Sequence, residues 1–137
     1  MAGTGTFYLE IITPERQFYI GPAEALVIPA VDGEMGIYPG HEPVVTAIEP
    51  GEARYLADGQ WHDLVVTQGF AEIMSDYAVV LVSAAERPED IDATRAERAK
   101  ERAEERLRQH ESRQEYIRSK AALARATARL RATSHRG

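Results

Sequence analysis

The chain has 137 residues, enough for one core of ordinary size and an appendage, and 44% of them are hydrophobic. It has no cysteine, which excludes disulfides and disfavours a zinc site, and its four histidines show no ligand spacing. The net charge of −6 is unevenly divided, because residues 1–85 carry −10 and residues 86–137 carry +4. The acidic front is therefore a poor candidate for binding nucleic acid, whose phosphates need Lys and Arg.

The first residues lack the positive and apolar regions of a secretory signal. No apolar stretch reaches the length needed to span a bilayer. We therefore expect a protein that is cytosolic, or peripheral on the cytosolic side of a larger assembly, without direct membrane insertion.

The front of the chain reads as a series of short strands with turn residues between them. The predicted strands cover residues 7–12, 18–20, 25–30, 36–40, 43–48, 53–57, 61–66, 69–74 and 77–82. Turn residues at 58–60 and 75–76 predict two hairpins, and the apolar run 25–30 predicts a strand buried on both faces. Because no helical pattern interrupts these strands, the sequence predicts an all-β sandwich or barrel.

Pro88 marks the boundary between two predicted domains, 1–86 and 87–137. The sequence of the second domain predicts two helices, from about residue 92 to 109 and from about 113 to 132, with a turn at 109–112. A short turn between two amphipathic helices predicts an antiparallel hairpin. Its apolar positions are mostly alanine: Ala96, Ala99, Ala103, Leu107, Ile117, Ala121, Ala124 and Ala128. Since burying a methyl group contributes only about 0.8 kcal/mol, we expect this hairpin to be marginally held.

Three segments resemble the ε subunit of bacterial F-type ATP synthase. They are GEMGIYPGHEP at 33–43, GFAE at 69–72 and DIDATRA at 90–96, in the family's order and spacing. The resemblance covers essentially the whole chain and implies a ten-stranded β-sandwich followed by an antiparallel two-helix hairpin. It also implies a non-catalytic subunit of a proton-translocating ATP synthase, peripheral on the cytoplasmic face of the bacterial cell membrane.

The resemblance further implies a place on the central rotor stalk. The expected partners are the γ subunit, the ring of c subunits and, when the hairpin is extended, the α/β catalytic head. Glu34 and His41 are the residues expected at the c-ring and γ interface. In the extended state, basic residues of the hairpin are candidates for contacting the head: Arg98, Arg102, Arg106, Arg113, Arg118 and Lys120.

In some bacterial members of this family, Ile-Asp-x-x-Arg-Ala is the core of an ATP site, and residues 91–96 match it at each fixed position. Two arginines four apart on the second helix can offer planar, multidentate donors to phosphate. The resemblance thus implies ATP as a regulatory ligand, with or without Mg²⁺, that holds the hairpin folded and relieves its inhibition of ATP hydrolysis. The ATP-binding residues expected are Glu86, Ile91, Asp92, Arg95, Ala96, Arg125 and Arg129.

The chain has no phosphate-cradling Gly-rich loop and no nucleophile-plus-base spacing, so we expect ATP to be bound and not cleaved. We expect no catalytic residues and no metal site. One alternative is a coupling subunit whose hairpin ignores nucleotide. Another is a freestanding β-sandwich adaptor with a helical partner-binding tail. A nucleic-acid module built on the basic tail is disfavoured because acidic residues interleave throughout it.

Overall fold

The computed structural model describes residues 5–109 and 113–136 of the chain. The chain divides into two compact units, Met1–Ala85 and Glu86–Gly137. The strands are β1 (Phe7–Ile12), β2 (Gln17–Ala23), β3 (Ala25–Ala30), β4 (Gly33–Ile37), β5 (Val44–Ile48), β6 (Gly51–Ala57), β7 (Gln60–Val66), β8 (Gly69–Ile73), β9 (Tyr77–Val82) and β10 (Ala85–Glu86). A 3-10 turn (Pro88–Asp90) then precedes α1 (Ala93–Gln109) and α2 (Arg113–Arg136).

The ten strands form one hydrogen-bonded path in the order β10-β7-β6-β3-β5-β8-β9-β1-β2, with β4 paired to β3 beside it. The pairs among β1 to β9 in this order are antiparallel except for β1 with β9, which is parallel. This path folds on itself around a core of large aliphatic side chains. The ten-stranded sandwich followed by two helices confirms the predicted fold class.

The core of the sheet unit consists of the side chains at the alternate, inward-facing positions of its strands. Its largest fully buried side chains are Leu9, Ile11, Leu26, Ile28, Ile37, Ile48, Leu64, Val66, Ile73 and Val80. β3 is buried at its first four positions, as its apolar run predicted for a strand covered on both faces. The predicted hairpins also form, with the β6–β7 turn made by Asp58 (φ 53°) and Gly59 (φ 74°).

Two strand predictions in the sheet unit were wrong at their ends. β2 was expected to stop at Gly21 but continues to Ala23. β2 is the last strand of the path and therefore an edge strand, paired to β1 on one side. Proline has no backbone N–H to donate, and an edge strand tolerates it because its outer side needs no donor. The element expected at 36–40 is instead β4 at Gly33–Ile37, because its pairing with β3 begins at Ala30 opposite Gly33.

The helical unit matches its predicted outline, with α1 beginning one residue later than expected and α2 continuing four residues further. The turn predicted at 109–112 lies, for residues 110–112, outside the described residues. The helices pack along each other. Among their described side chains, those that are buried are all small, and we call this set the helix seam: Ala96, Ala103, Ser119, Ala126, Ala128 and Ala132.

The helix seam corrects part of the predicted apolar stripe on α2. Ile117 is 57% exposed and Ala124 is also exposed, although both were expected to face the partner helix. Ser119 and Ala126 are buried instead. Alanines lie on several faces of α2, so their spacing alone does not single out the one that packs.

Candidate functional site

The helical unit begins with a capped helix. The Asp92 side chain accepts a hydrogen bond at Oδ1 from the backbone N–H of Arg95, at 3.1 Å. Its carbonyl accepts the first helical hydrogen bond, from the Ala96 N–H at 3.0 Å. Asp92 is therefore the N-cap of α1, and its carboxylate lies at the positive end of the helix dipole.

An ion pair ties α2 to the segment before α1. The Arg129 Nε donates to Glu86 Oε1 at 2.6 Å, and both side chains are about one-third exposed or less. This contact joins residues 43 positions apart and places the end of α2 beside the start of α1. The two helices are thus antiparallel, and this end of the hairpin carries charged groups from both arms.

A cavity of about 400 Å³ opens at this end of the helical unit. Its volume lies within the range of small-molecule sites. The 3-10 turn, one face of α1 and the end of α2 contribute its walls. The lining residues are Glu86, Asp90, Ile91, Asp92, Arg95, Ala96, Ala99, Arg102 and Arg129.

Most residues of the expected ATP site meet in this cavity. Those that line it are Glu86, Ile91, Asp92, Arg95, Ala96 and Arg129. Arg125 is half-buried on α2 but is not among the lining residues. The binding role of all seven residues stays a prediction.

Sequence reasoning missed three lining residues: Asp90, Ala99 and Arg102. Arg102 was instead assigned to contacts with the catalytic head. The signal for it was present, because Arg95, Ala99 and Arg102 are spaced i, i+4, i+7 and share one face of α1. Alanine at 99 leaves room between the two guanidinium groups, which a longer side chain would fill.

Charges around the cavity are unevenly placed. Asp90 and Asp92 line it together with the Glu86–Arg129 pair. Within residues 5–109 and 113–136, no carboxylate forms an ion pair with Arg95 or Arg102. The α1 wall therefore presents two guanidinium groups whose donors are available to an anion.

The structure does not bring the expected interface residues of the sheet unit together. Glu34 lies near the β3–β4 turn, where its Oε2 is 3.4 Å from Arg54 Nη1. His41 lies beyond the other end of β4, in the loop before β5, and its Nδ1 donates to the Glu42 carbonyl at 2.6 Å. Both are accessible, but they occupy opposite ends of the strand.

A second surface of the sheet unit escaped sequence reasoning. The outward positions of β5, β8, β9 and β1 are mostly apolar, and Val45 is 67% and Phe70 47% exposed. Strand register aligns Phe70 between Ala47 and Leu81, with Ile12 beyond Leu81. We call this surface the outer apolar face: Tyr8, Ile12, Val45, Ala47, Phe70, Tyr77, Val79 and Leu81.

The only polar interruptions on this face that its register shows are two glutamates, Glu10 and Glu72, each opposite Val79. The Tyr77 hydroxyl donates to Glu72 Oε1 at 3.2 Å. Partial desolvation and then the Glu72 carboxylate raise the pKa of Tyr77 above 10.0, so this hydroxyl stays protonated. The sequence did carry a signal for this surface. In β1 and β9 the residues of both faces are mostly apolar, which is typical of strands covered on both faces.

The fold and the site together define a class of two-part proteins, with a ten-stranded sandwich followed by a helix pair. Residues 6–88 match the family described as ATP synthase, Delta/Epsilon chain, beta-sandwich domain. Residues 89–134 match ATP synthase, Delta/Epsilon chain, long alpha-helix domain. The chain belongs to the ATP synthase delta/epsilon chain family. It is accordingly a non-catalytic subunit, as the resemblance implied.

The chain is similar to several bacterial relatives along almost its whole length. It is 53% identical to the ATP synthase epsilon chain of Ruminiclostridium cellulolyticum, covering 96% of this chain and 98% of the relative. It is 47% identical to the epsilon chain of Caldanaerobacter subterraneus subsp. tengcongensis, covering 94% of each. These relatives confirm the resemblance to the ε subunit that was drawn from the three segments.

Solved structures share the fold. A chain in the Euglena gracilis mitochondrial ATP synthase, in the structure of its OSCP, F1 and c-ring, superposes with a TM-score of 0.83. It is 24% identical, and the match covers 98% of this chain and 85% of that one. A chain of the Tetrahymena thermophila central stalk and c-ring gives 0.65 at 9% identity, covering 93% and 96%. Among the described residues of our chain, no helix is long and apolar enough to cross a membrane.

Proposed function

We propose that this chain is the coupling and regulatory subunit of the central stalk of a proton-translocating ATP synthase. In this proposal the sheet unit joins the γ subunit to the c-ring, and the helical unit responds to ATP. The family membership and the similarity to chains solved in F1, c-ring and central-stalk assemblies support a stalk position. The protein is then peripheral, on the cytoplasmic face of the bacterial membrane.

The outer apolar face supports a permanent protein partner for the sheet unit. A contiguous exposed apolar surface of this kind is typical of a binding site. Because strand register aligns Glu10 and Glu72 only with apolar residues, a complementary surface is apolar and carries basic groups opposite these two carboxylates. We assign this face to the γ subunit, and keep Glu34 and His41 as the residues expected at the c-ring and γ contacts.

A pair of charge substitutions tests the assignment to γ. Phe70→Arg replaces the exposed aromatic side chain of the outer apolar face by a charge, so we expect co-purification with γ to fall strongly. Gln60→Arg adds the same charge at the exposed first residue of β7 and should leave co-purification unchanged. Equal binding of γ by both variants would show that γ docks elsewhere.

The cavity at the helix ends is the observation that carries the ATP response. It joins groups from the segment before α1, from α1 and from α2, so a ligand that touches all three binds only the folded hairpin. Such a ligand stabilises the folded state by RT ln(1 + [L]/Kd), about 2.7 kcal/mol at a hundredfold excess over Kd. A helix seam of small residues is weak enough for that amount to matter.

In this mechanism, abundant ATP holds the hairpin folded and permits hydrolysis by the catalytic head. When ATP falls, the hairpin opens and extends along γ toward the α/β subunits, where its arginines contact the head and inhibit hydrolysis. Each lining residue has a role in holding the nucleotide, and none has a role in cleaving it.

Calorimetric titration of the chain with ATP, with and without Mg²⁺, tests the proposed site. Arg95→Gln removes an unpaired cation of the cavity and should weaken binding by about tenfold or more. Arg98→Gln removes an exposed arginine of α1 that does not line the cavity, and should bind ATP as the unaltered chain does. If the unaltered chain gives no heat with ATP, the coupling role remains and the ATP response is refuted.

A further inference from the structure

A pocket of about 370 Å³ lies at one end of the outer apolar face, where β1 and β9 end and β8 begins. Its lining includes Ile12, Phe70 and Leu81, three members of that face that strand register places side by side. We infer that this pocket is the anchor of the proposed γ contact and takes one large apolar side chain of γ. The inference rests on the proposed function and deepens it, because it names the part of the face that holds γ and the chemistry of the group that is held.

The hydroxyl groups of the pocket lining are occupied by the chain itself. Thr13 Oγ1 donates to the Arg16 carbonyl and accepts from the Arg16 N–H, both at 3.2 Å. Ser83 Oγ donates to the Gln68 carbonyl at 3.3 Å. A small polar molecule needs a few free polar groups to fix its orientation, whereas an apolar side chain of a protein needs only apolar surface. The lining therefore suits a side chain better than a small polar ligand.

The pocket is formed by paired strands. Gly69 pairs with Val82 and Phe70 with Leu81, and Leu81 pairs in turn with Ile12. A β-carbon on Gly69 would overlap the Leu81 carbonyl oxygen, so only glycine allows β8 and β9 to approach this closely. Because strand pairing fixes these walls, an entering side chain meets a pocket that already exists, and little ordering energy is lost on binding.

The charges beside the pocket define the rest of the γ segment that fits it. Glu10 lies two residues before Ile12 on β1, and Glu72 lies two residues after Phe70 on β8. Two residues of a strand span about 7 Å, so both glutamates are about that far from the pocket wall. A complementary γ segment therefore presents a large apolar residue with a lysine or arginine about 7 Å from it.

Shape separates this pocket from the rest of the outer apolar face. A side chain that enters a pocket is enclosed by apolar atoms on several sides, whereas one that lies on a pleated sheet is covered on one side only. Binding energy in protein interfaces is concentrated in such desolvated pockets. Since the loss of an interface contact changes mainly the dissociation rate, blocking the pocket should shorten the lifetime of the complex and leave its formation almost unchanged.

The test measures the association and dissociation rates of the full chain on immobilised γ subunit. Ser83→Phe places a ring in the pocket and should raise the dissociation rate by about tenfold to a hundredfold, with the association rate within about twofold. Ser83→Ala is the matched control, because it loses the same hydroxyl without filling the pocket, and it should bind as the unaltered chain does. Equal midpoints of urea denaturation confirm that the variants fold.

A second variant makes the test independent of position 83. Leu81→Ala removes part of the pocket wall and should also speed dissociation, by about threefold to tenfold, because the anchored side chain loses contacts. Glu72→Gln removes a charge beside the pocket and should act on the other rate, by slowing association at low salt. This division between the two rates separates the anchor from the charges around it.

Equal dissociation rates for Ser83→Phe and Ser83→Ala, with no change in Leu81→Ala, would overturn the inference, because the pocket would then be empty in the complex. The proposed function would stand if Phe70→Arg still weakened the γ contact, and its γ assignment would fall if Phe70→Arg and Gln60→Arg bound equally. A dimer of the unaltered chain that Ser83→Phe converts to a monomer in sedimentation would assign the pocket to a second copy, and would also overturn the inference.

Discussion

The two units of this chain bury very different side chains. The sheet unit fills its interior with leucine, isoleucine and valine, and ten such residues are almost fully buried. The helix seam contains only alanine and one serine. Because apolar stabilisation follows the area removed from water, the sandwich has a large stability margin and the hairpin a small one. This difference in packing suits the two roles that we propose, a rigid coupling element and a helix pair that can open.

The largest expected effect is in the sandwich core. Ile73 is fully buried on β8, and Ile73→Ala should lower the free energy of unfolding by about 2–5 kcal/mol, through lost burial and the cavity that remains. Urea denaturation followed by tryptophan fluorescence measures the loss. Ile20→Ala on the exposed edge strand β2 is the control and should cost much less. Equal costs would show that the two sites do not differ in packing as the structure indicates.

The helix seam should respond to added volume rather than lost volume. Ala126 is buried, so Ala126→Leu forces the helices apart and should destabilise the folded hairpin by about 1–3 kcal/mol. Faster amide deuterium exchange in α1 and α2, with the strands as an internal reference, measures this. Ala124→Leu on the exposed face of α2 is the matched control, and equal exchange in the two variants would contradict the helix seam.

A smaller effect of opposite sign is expected at Ser119. Its hydroxyl is buried, and none of the described groups offers it a hydrogen bond. Ser119→Ala removes an unsatisfied group and improves helix propensity, so the folded hairpin should gain about 1 kcal/mol. Slower exchange in the helices would report the gain. Ser134→Ala loses an exposed hydroxyl that donates to the Arg131 carbonyl, and should give no gain.

The proposed coupling between ATP binding and hairpin folding gives Ser119→Ala a second measurable consequence. If ATP binds only the folded hairpin, whatever stabilises that state raises apparent ATP affinity up to the limit set by its population. Tighter ATP binding in this variant would support a hairpin that opens in the absence of ligand. An affinity unchanged beside slower exchange would mean that the hairpin is already fully folded.

The strands and their order of appearance were predictable because each strand is a short apolar run bounded by Gly, Pro or Asp. The predicted strand ends were wrong where pairing with a neighbouring strand, and not the local sequence, sets the end of the strand. β4 begins at Gly33 because its partner strand ends at Ala30, and β2 passes through Pro22 because it lies at an edge. Neither fact can be read from the residues of the strand itself.

The candidate site was predictable where a linear motif defines it and poorly predictable where three-dimensional packing does. Residues 91–96 are contiguous, and the structure groups their key members at the cavity. The contribution of α2 depends on how the hairpin closes. Alanine-rich helices carry little information about which face packs, so Ile117 was placed in a stripe although it is exposed, and Arg102 was not expected to line the cavity.

The smallest effect on stability is expected for a substitution of Glu34. At this position, binding to the c-ring can be tested without a change in the stability of the fold. The Glu34–Arg54 pair is 3.4 Å long with side chains 62% and 42% exposed, so solvent screens it, and Glu34→Gln should change the free energy of unfolding by less than about 0.5 kcal/mol. Arg54 also lies over the Trp61 ring, which keeps it in place without Glu34. If Glu34 contacts the c-ring, the same variant should weaken binding to isolated c-ring although its stability is unchanged. Glu15→Gln, an exposed carboxylate in the β1–β2 turn, removes the same charge and should bind normally. Normal binding by both variants would assign Glu34 only to the surface pair, and the c-ring contact would then rest on other residues of the sheet unit.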